Sequence, residues 1–332
     1  MQIKKFKICY FFYLLIFSIS ISPLNAQQKR GEKLFVDSIN KLAFIISRGN
    51  NDIEKLNANE VLIETLYNTL INKDNQSISL DSLKNISFIT PPDNAFKLIT
   101  WTLKKEDGNY ENFGILQTKN PKTNRTVIFT LKDKSEQYYN AENMLGDAEN
   151  WFGAVYYKVL TSTINRKKYY TLLGWNGYNN FKQRKIIEIL SFKANGSPVF
   201  GSKIFKKYTN RNAVRVVFEY SKKASMTLIY DVQTYFLNTK QRDPKTKRLI
   251  KKEIKSEMIV FDRLAPLNES MSGVNEYYVP ETNIMDAFIP FQGRWSFIQD
   301  IEARNPQPNK PKTKYTNTKR YTPAVKAKPK TK

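Results

Sequence analysis

A mostly β, antiparallel fold entered through two helices is what this sequence predicts, and three observations carry it. The spacing of apolar residues changes from three-to-four to two at about Ile86, Asx-Gly pairs recur between the period-two runs, and no helical stretch separates one run from the next. A three-to-four period marks an amphipathic helix, and a period of two marks a strand with one face on a core. Strands close in sequence, without helical crossovers, pair as an antiparallel meander. The expected fold is therefore an antiparallel meander, sandwich or barrel-like, preceded by an N-terminal helical hairpin and followed by a disordered basic C-terminal tail. Four-stranded, propeller-like units and a membrane-spanning barrel are the competing arrangements. The barrel fits less well: its strands need an apolar outer face, whereas Arg215, Glu219 and Asp231 lie opposite the Val/Phe/Tyr rows.

Residues 1–26 read as a signal peptide. Lys4, Lys5 and Lys7 precede an apolar run from Ile8 to Ile21, and Pro23-Leu24-Asn25-Ala26 leads to a cut before Gln27. A basic start, a short apolar core and a small residue at the cut are the parts of an export signal. The run is shorter than the roughly 20 residues that span a bilayer as a helix. Gln27 stands where a lipid anchor would need a cysteine. The protein is thus expected to be exported, periplasmic or secreted.

Residues 27–79 form the helical hairpin. Leu34, Phe35, Ile39, Leu42, Ile45 and Ile46 make one stripe, 49–52 break it, and Leu56, Val61, Leu62, Leu66, Leu70 and Ile71 make a second. Both stripes need a sheet to cover them. The β-domain spans 80–300. Ile99, Trp101 and Leu103 alternate with Thr100, Thr102 and Lys104; Val127, Phe129 and Leu131 form another row. The rows Val214, Val216, Phe218, Tyr220 and Met226, Leu228, Tyr230, Val232 predict a hairpin of 212–220 with 225–232, with Arg215 opposite Asp231 on its polar face. Asp107-Gly108, Asn176-Gly177 and Asn195-Gly196 supply residues tolerant of positive φ for tight turns. Nine to eleven strands are expected between 86 and 264. Segment 182–193 suits a strand or a buried helix, because Ile186, Ile187, Ile189 and Leu190 are nearly continuous. Residues 265–300, with Pro266, Pro280 and Pro290, read as a loop-rich closing segment whose aromatics cap the sheet. Residues 301–332 are a Lys/Pro-rich tail with too little apolar surface to offset its ordering entropy.

The chain carries 54 Lys and Arg against 30 Asp and Glu, a net charge of +24. The signal holds three of these charges and the tail nine, leaving a basic body whose cations look spread out. In an exported protein nucleic acid is not the expected partner. The natural counter-charge is anionic envelope material, whether lipid headgroups, acidic glycans or wall polymers, reached by peripheral membrane association. Another envelope protein is the alternative partner, and an AT-rich codon bias would give the same composition.

There is no histidine, and the one cysteine, Cys9, lies in the signal. Ser–His–Asp and Cys–His catalysis, His-ligated zinc and disulfides therefore have no residues to act through. No phosphate loop or dinucleotide fingerprint occurs, and no cofactor or metal is expected. Carboxylate chemistry on glycans needs only two acids. Its candidates are Glu142, Asp147 and Glu149 before Trp151, residues that would equally make a capped turn. A sugar or peptide site is suggested by Trp175, Asn176, Tyr178 and Asn179 with Lys182 and Arg184, where stacking faces meet amides at a hairpin tip. The same residues would also serve the turn itself. Arg294 and Trp295 are weaker candidates. The functional expectation is a non-catalytic envelope protein that binds another envelope component through basic surface, with a secreted carboxylate-based hydrolase as the alternative.

Overall fold

The computed structural model describes residues 22–71, 80 and 82–301, in a mostly β chain opened by two helices. Of the expected signal, 1–21 lie outside the described residues, and 22–26 are the helical start of α1 (Ser22–Arg48). Helix α2 (Asp52–Ile71) follows after a three-residue break. Asn51 Oδ1 accepts from the Glu54 amide at 2.9 Å, and the Glu54 carboxylate accepts from the Asn50 amide at 2.7 Å. This is a reciprocal cap of the kind that satisfies the free amides of a helix start. Ile39, Ala43, Ile46, Leu62, Leu66 and Leu70 are the buried stripe of the pair.

Three sheets stack behind the helices. The first is the meander β1 (Ser87–Ile89), β2 (Phe96–Lys104), β3 (Tyr110–Lys119) and β4 (Thr126–Lys132). The second holds β5 (Val155–Ile164), β6 (Lys167–Asn176) and β7 (Lys182–Phe192), with β8 (Pro198–Phe200) pairing β7. The third includes the short strand β9 (Phe205–Lys206); β10 (Val216–Ser221) returns to the second sheet beside β7. Then β11 (Leu228–Arg242), β12 (Leu249–Pro266), β13 (Tyr278–Phe291) and β14 (Arg294–Ile301) complete the third sheet. Among the described strands the pairings are antiparallel except that of β14 with β9. The third sheet curls so far that β11 and β14 approach within 8 Å although two strands lie between them.

The layers explain the alternation and correct it. Ile99, Trp101 and Leu103 pack on the helices, and Trp101 donates its ring N–H to Asn59 Oδ1 at 2.7 Å. The opposite face of β2, expected in water, is covered too: Phe96 and Leu98 join Leu172, Ile186 and Phe200 between the first two sheets. Thr100 there is fully buried and accepts from the Tyr156 amide. Within the second sheet β7 is buried on both faces from Ile186 to Ser191, which is why segment 182–193, a strand over Lys182–Phe192, reads as continuously apolar.

Three expectations are overturned. Segments 212–220 and 225–232 do not pair: β10 pairs β7 (Val216 with Ile187) and β11 pairs β12 (Leu228 with Phe261). Their apolar rows meet face to face across the second and third sheets, with Val216, Tyr220, Met226 and Leu228 in one core. Alternation reports which side chains face a core, not which strand lies alongside. Arg215 is not on a solvated polar face but fully buried, its Nε 2.7 Å from Glu188 Oε2. Segment 265–300 is not loop-rich: β13 and β14 fill most of it. Pro280 and Pro290 are tolerated within β13 despite lacking an amide proton. The expected tail lies, from Glu302 on, outside the described residues.

Two turns share one design. Asn120-Pro-Lys-Thr-Asn-Arg125 joins β3 to β4, and Asp243-Pro-Lys-Thr-Lys-Arg248 joins β11 to β12. In each the Asx oxygen accepts from the amides two and three residues on. Asn124 and Lys247 occupy the same position with φ of 53° and 59°.

Candidate functional site

The loop between β6 and β7 brings all six proposed ligand residues together, and most of their polar groups are engaged within the fold, although the buried Nη1 of Arg184 has no hydrogen-bond partner among the described residues. Asn176 is buried; its amide donates to the Gly153 carbonyl and accepts from the Tyr178 amide, both at 2.7 Å. Asn179 Oδ1 accepts from the Phe181 and Lys182 amides at 2.9 Å, so it shapes the turn. Trp175 donates its ring N–H to Gln183. Arg184 stacks on the Tyr178 ring at 3.6 Å and binds Glu219 at 2.6 Å, while Lys182 reaches the same carboxylate at 3.1 Å. Burial alone would raise the Glu219 carboxyl, but Arg184, Asn275 and Lys182 outweigh it and hold the group below the usual carboxylate range. The cluster is a polar clamp between β7, β10 and residue 275. On its flank, Lys222 sits 4.1 Å over Tyr110 and 5.5 Å over Trp175. Burial, with Lys104 nearby, lowers its pKa.

The acid cluster is likewise internally engaged. Glu142 accepts from Tyr208, Asn210 and the Val217 amide. Asp147 caps the turn that follows, accepting from the Glu149 and Asn150 amides, and Glu149 pairs with Lys132 at 2.5 Å. Trp151 is fully buried, so it presents no face to a sugar. A cleft of about 380 Å³ lies beside this turn, lined by Lys134, Tyr138, Leu145, Asp147, Asn150 and Lys193 among others, with Asp147 its one carboxylate. Trp295 is a core residue of the third sheet, donating to Thr171 Oγ1 at 2.8 Å.

What sequence reasoning missed is the ribbon of β11 and β12. Their pairing continues past the rest of the sheet: β13 joins β12 only from Ile259, so residues 249–255 pair with β11 alone. At about 3.3 Å per residue this is roughly 23 Å of two-stranded arm. Between 241 and 255 stand Arg242, Lys245, Lys247, Arg248, Lys251, Lys252 and Lys255, all exposed, against Asp243 and Glu253. The body's charge is therefore concentrated here, at +5 over fifteen residues. Aliphatic groups share the arm: Leu249 and Ile250 are 40% and 41% exposed. Interleaved Leu, Ile and Thr hid this cluster in the linear chain; Asp243-Pro244, a turn signal between two alternating runs, was the sign available.

Comparison with family models, with curated proteins and with solved structures finds no match to this chain.

Proposed function

We propose that the chain is an exported, non-catalytic protein that binds an anionic component of the cell envelope. The observation that carries this reading is the cationic arm: seven exposed Lys and Arg with only two acids among them, held on a defined ribbon. The Lys/Pro-rich tail adds nine positive charges to the same end of the chain's sequence. Such surfaces attract polyanions and anionic lipid from a distance, and salt screens them. The hydrolase alternative receives less support, because Glu142, Asp147 and Glu149 each hold local structure and only Asp147 lines the neighbouring cleft.

The test is a pull-down from envelope extract with residues 27–332, at low and high salt. Enrichment of anionic lipid or glycan that weakens as salt rises is the expected result. Salt-independent capture of one neutral component would replace the reading. Export itself is checked by N-terminal sequencing of protein from outside the cytoplasm, expected to begin at Gln27 or within two residues.

A further inference from the structure

The arm carries two chemistries at one end. Its tip is a capped turn: the Asp243 amide donates to the Arg248 carbonyl at 2.8 Å, and Asp243 Oδ1 accepts from the Lys245 and Thr246 amides at 2.9 and 2.6 Å. Arg242 Nη1 donates to the Lys247 carbonyl, and Thr239 Oγ1 to the Ile250 carbonyl. These bonds hold Lys245, Lys247 and Arg248 at the end of the ribbon, with no acid other than Asp243 within the turn. Asp243 is itself occupied by the backbone, which lowers its pKa. Directly behind the tip come Leu249 and Ile250, then Phe236, which is 40% exposed, with Lys251 6.0 Å over its ring.

A polyanion such as an acidic glycan or a nucleic acid offers phosphates, sulfates or carboxylates, and gives exposed Leu and Ile nothing to do. An anionic bilayer matches both sets: headgroups for the cations and the upper acyl region for the aliphatic side chains. We propose that the tip of the β11/β12 arm is a membrane-surface anchor, which lies along an anionic bilayer with Lys245, Lys247 and Arg248 set against the lipid headgroups and the neighbouring Leu249 and Ile250 at the boundary with the acyl region. This rests on the reading of the protein as a binder of anionic envelope material and names both the surface and the lipid partner.

The experiment uses residues 27–332 and two variants, K245Q/K247Q/R248Q and L249S/I250S. Vesicles of equal phosphatidylglycerol and phosphatidylcholine, vesicles of phosphatidylcholine alone, and a heparin column are the probes. All five substituted side chains are exposed, so circular dichroism and melting should match the parent. Expected is co-sedimentation of the parent with the anionic vesicles only, reduced about tenfold or more by the charge variant at low salt. The aliphatic variant should lose vesicle binding severalfold while keeping its heparin retention. Unchanged vesicle binding by both variants overturns the arm's role but leaves the broader reading standing. Failure of the parent to bind anionic vesicles, with heparin retained, overturns the lipid partner alone. Failure on both probes removes the broader reading as well.

Discussion

The buried pair of Glu188 and Arg215 is the most consequential contact at the scale of single residues. Arg215 binds Glu188, donates from Nη1 to the Ala141 and Met144 carbonyls, and lies 5.2 and 5.4 Å over the Tyr138 and Phe152 rings. It thereby fastens loop 138–150 to the second sheet. Burial pushes Glu188 up from the ordinary glutamate value, against the pull of Arg215. Removing one partner strands a buried charge, so Arg215→Met should destabilise by about 3–5 kcal/mol in urea unfolding. Glu219 titrates with the opposite sign. Its folded pKa is depressed, so its contribution is present above the ordinary glutamate value and lost as pH falls through the folded one. Glu219→Gln should cost on the order of 2 kcal/mol at pH 7, and its melting temperature should converge on the parent's in acid.

At the scale of elements, the two Asx-Pro-Lys-Thr turns are built alike but loaded differently. The turn at 120–125 closes β3 and β4, strands whose Leu116 and Leu131 belong to the core between the first two sheets. The turn at 243–248 closes a ribbon whose end belongs to no core. Removing the Asx acceptor strands two amides in each case. Asn120→Ala should lower global stability by about 1 kcal/mol. Asp243→Ala should leave the melting temperature nearly unchanged and speed hydrogen exchange between 239 and 250, because local opening of the arm does not expose the core. Equal loss of global stability from both would show that the arm is part of the cooperative unit.

At the scale of the whole molecule, four layers succeed one another: helices, then three sheets, with a core in each gap. A further apolar cluster, Tyr235, Met258, Val260, Ala287 and Ile301, lies on the other face of the curled third sheet. The central strands β6 and β7 of the middle sheet are the most enclosed, so melting should be governed by these interfaces rather than by the termini. The C-terminal segment is rich in Lys, Pro and Thr, with Tyr315, Tyr321 and Val325 nearly its only apolar residues past 305. Deleting 305–332 should leave the melting temperature within about 2 °C of the parent while weakening retention on anionic vesicles, measured by scanning calorimetry and co-sedimentation. A large fall in melting temperature would mean that this segment supports the core.

The sequence by itself determined the β class, the two helices, the meander connections and the exclusion of histidine chemistry. These depend on local periodicity, turn residues and composition, which are present in the linear chain. It also located the 176–182 turn, since Asn176 and Asn179 bond to backbone nearby. Only the tertiary structure decided that Val216 and Leu228 face one another across two sheets rather than side by side in one. Alternation defines a buried face without defining its cover, and 222–227 is long enough either to close a hairpin or to cross between layers. The same limit applied to Arg215, whose charge suggested water until Glu188, 27 residues away, supplied its partner. For the arm, the deciding fact was where β13 stops, because only the end of a neighbouring strand leaves residues 249–255 and their cations in solvent.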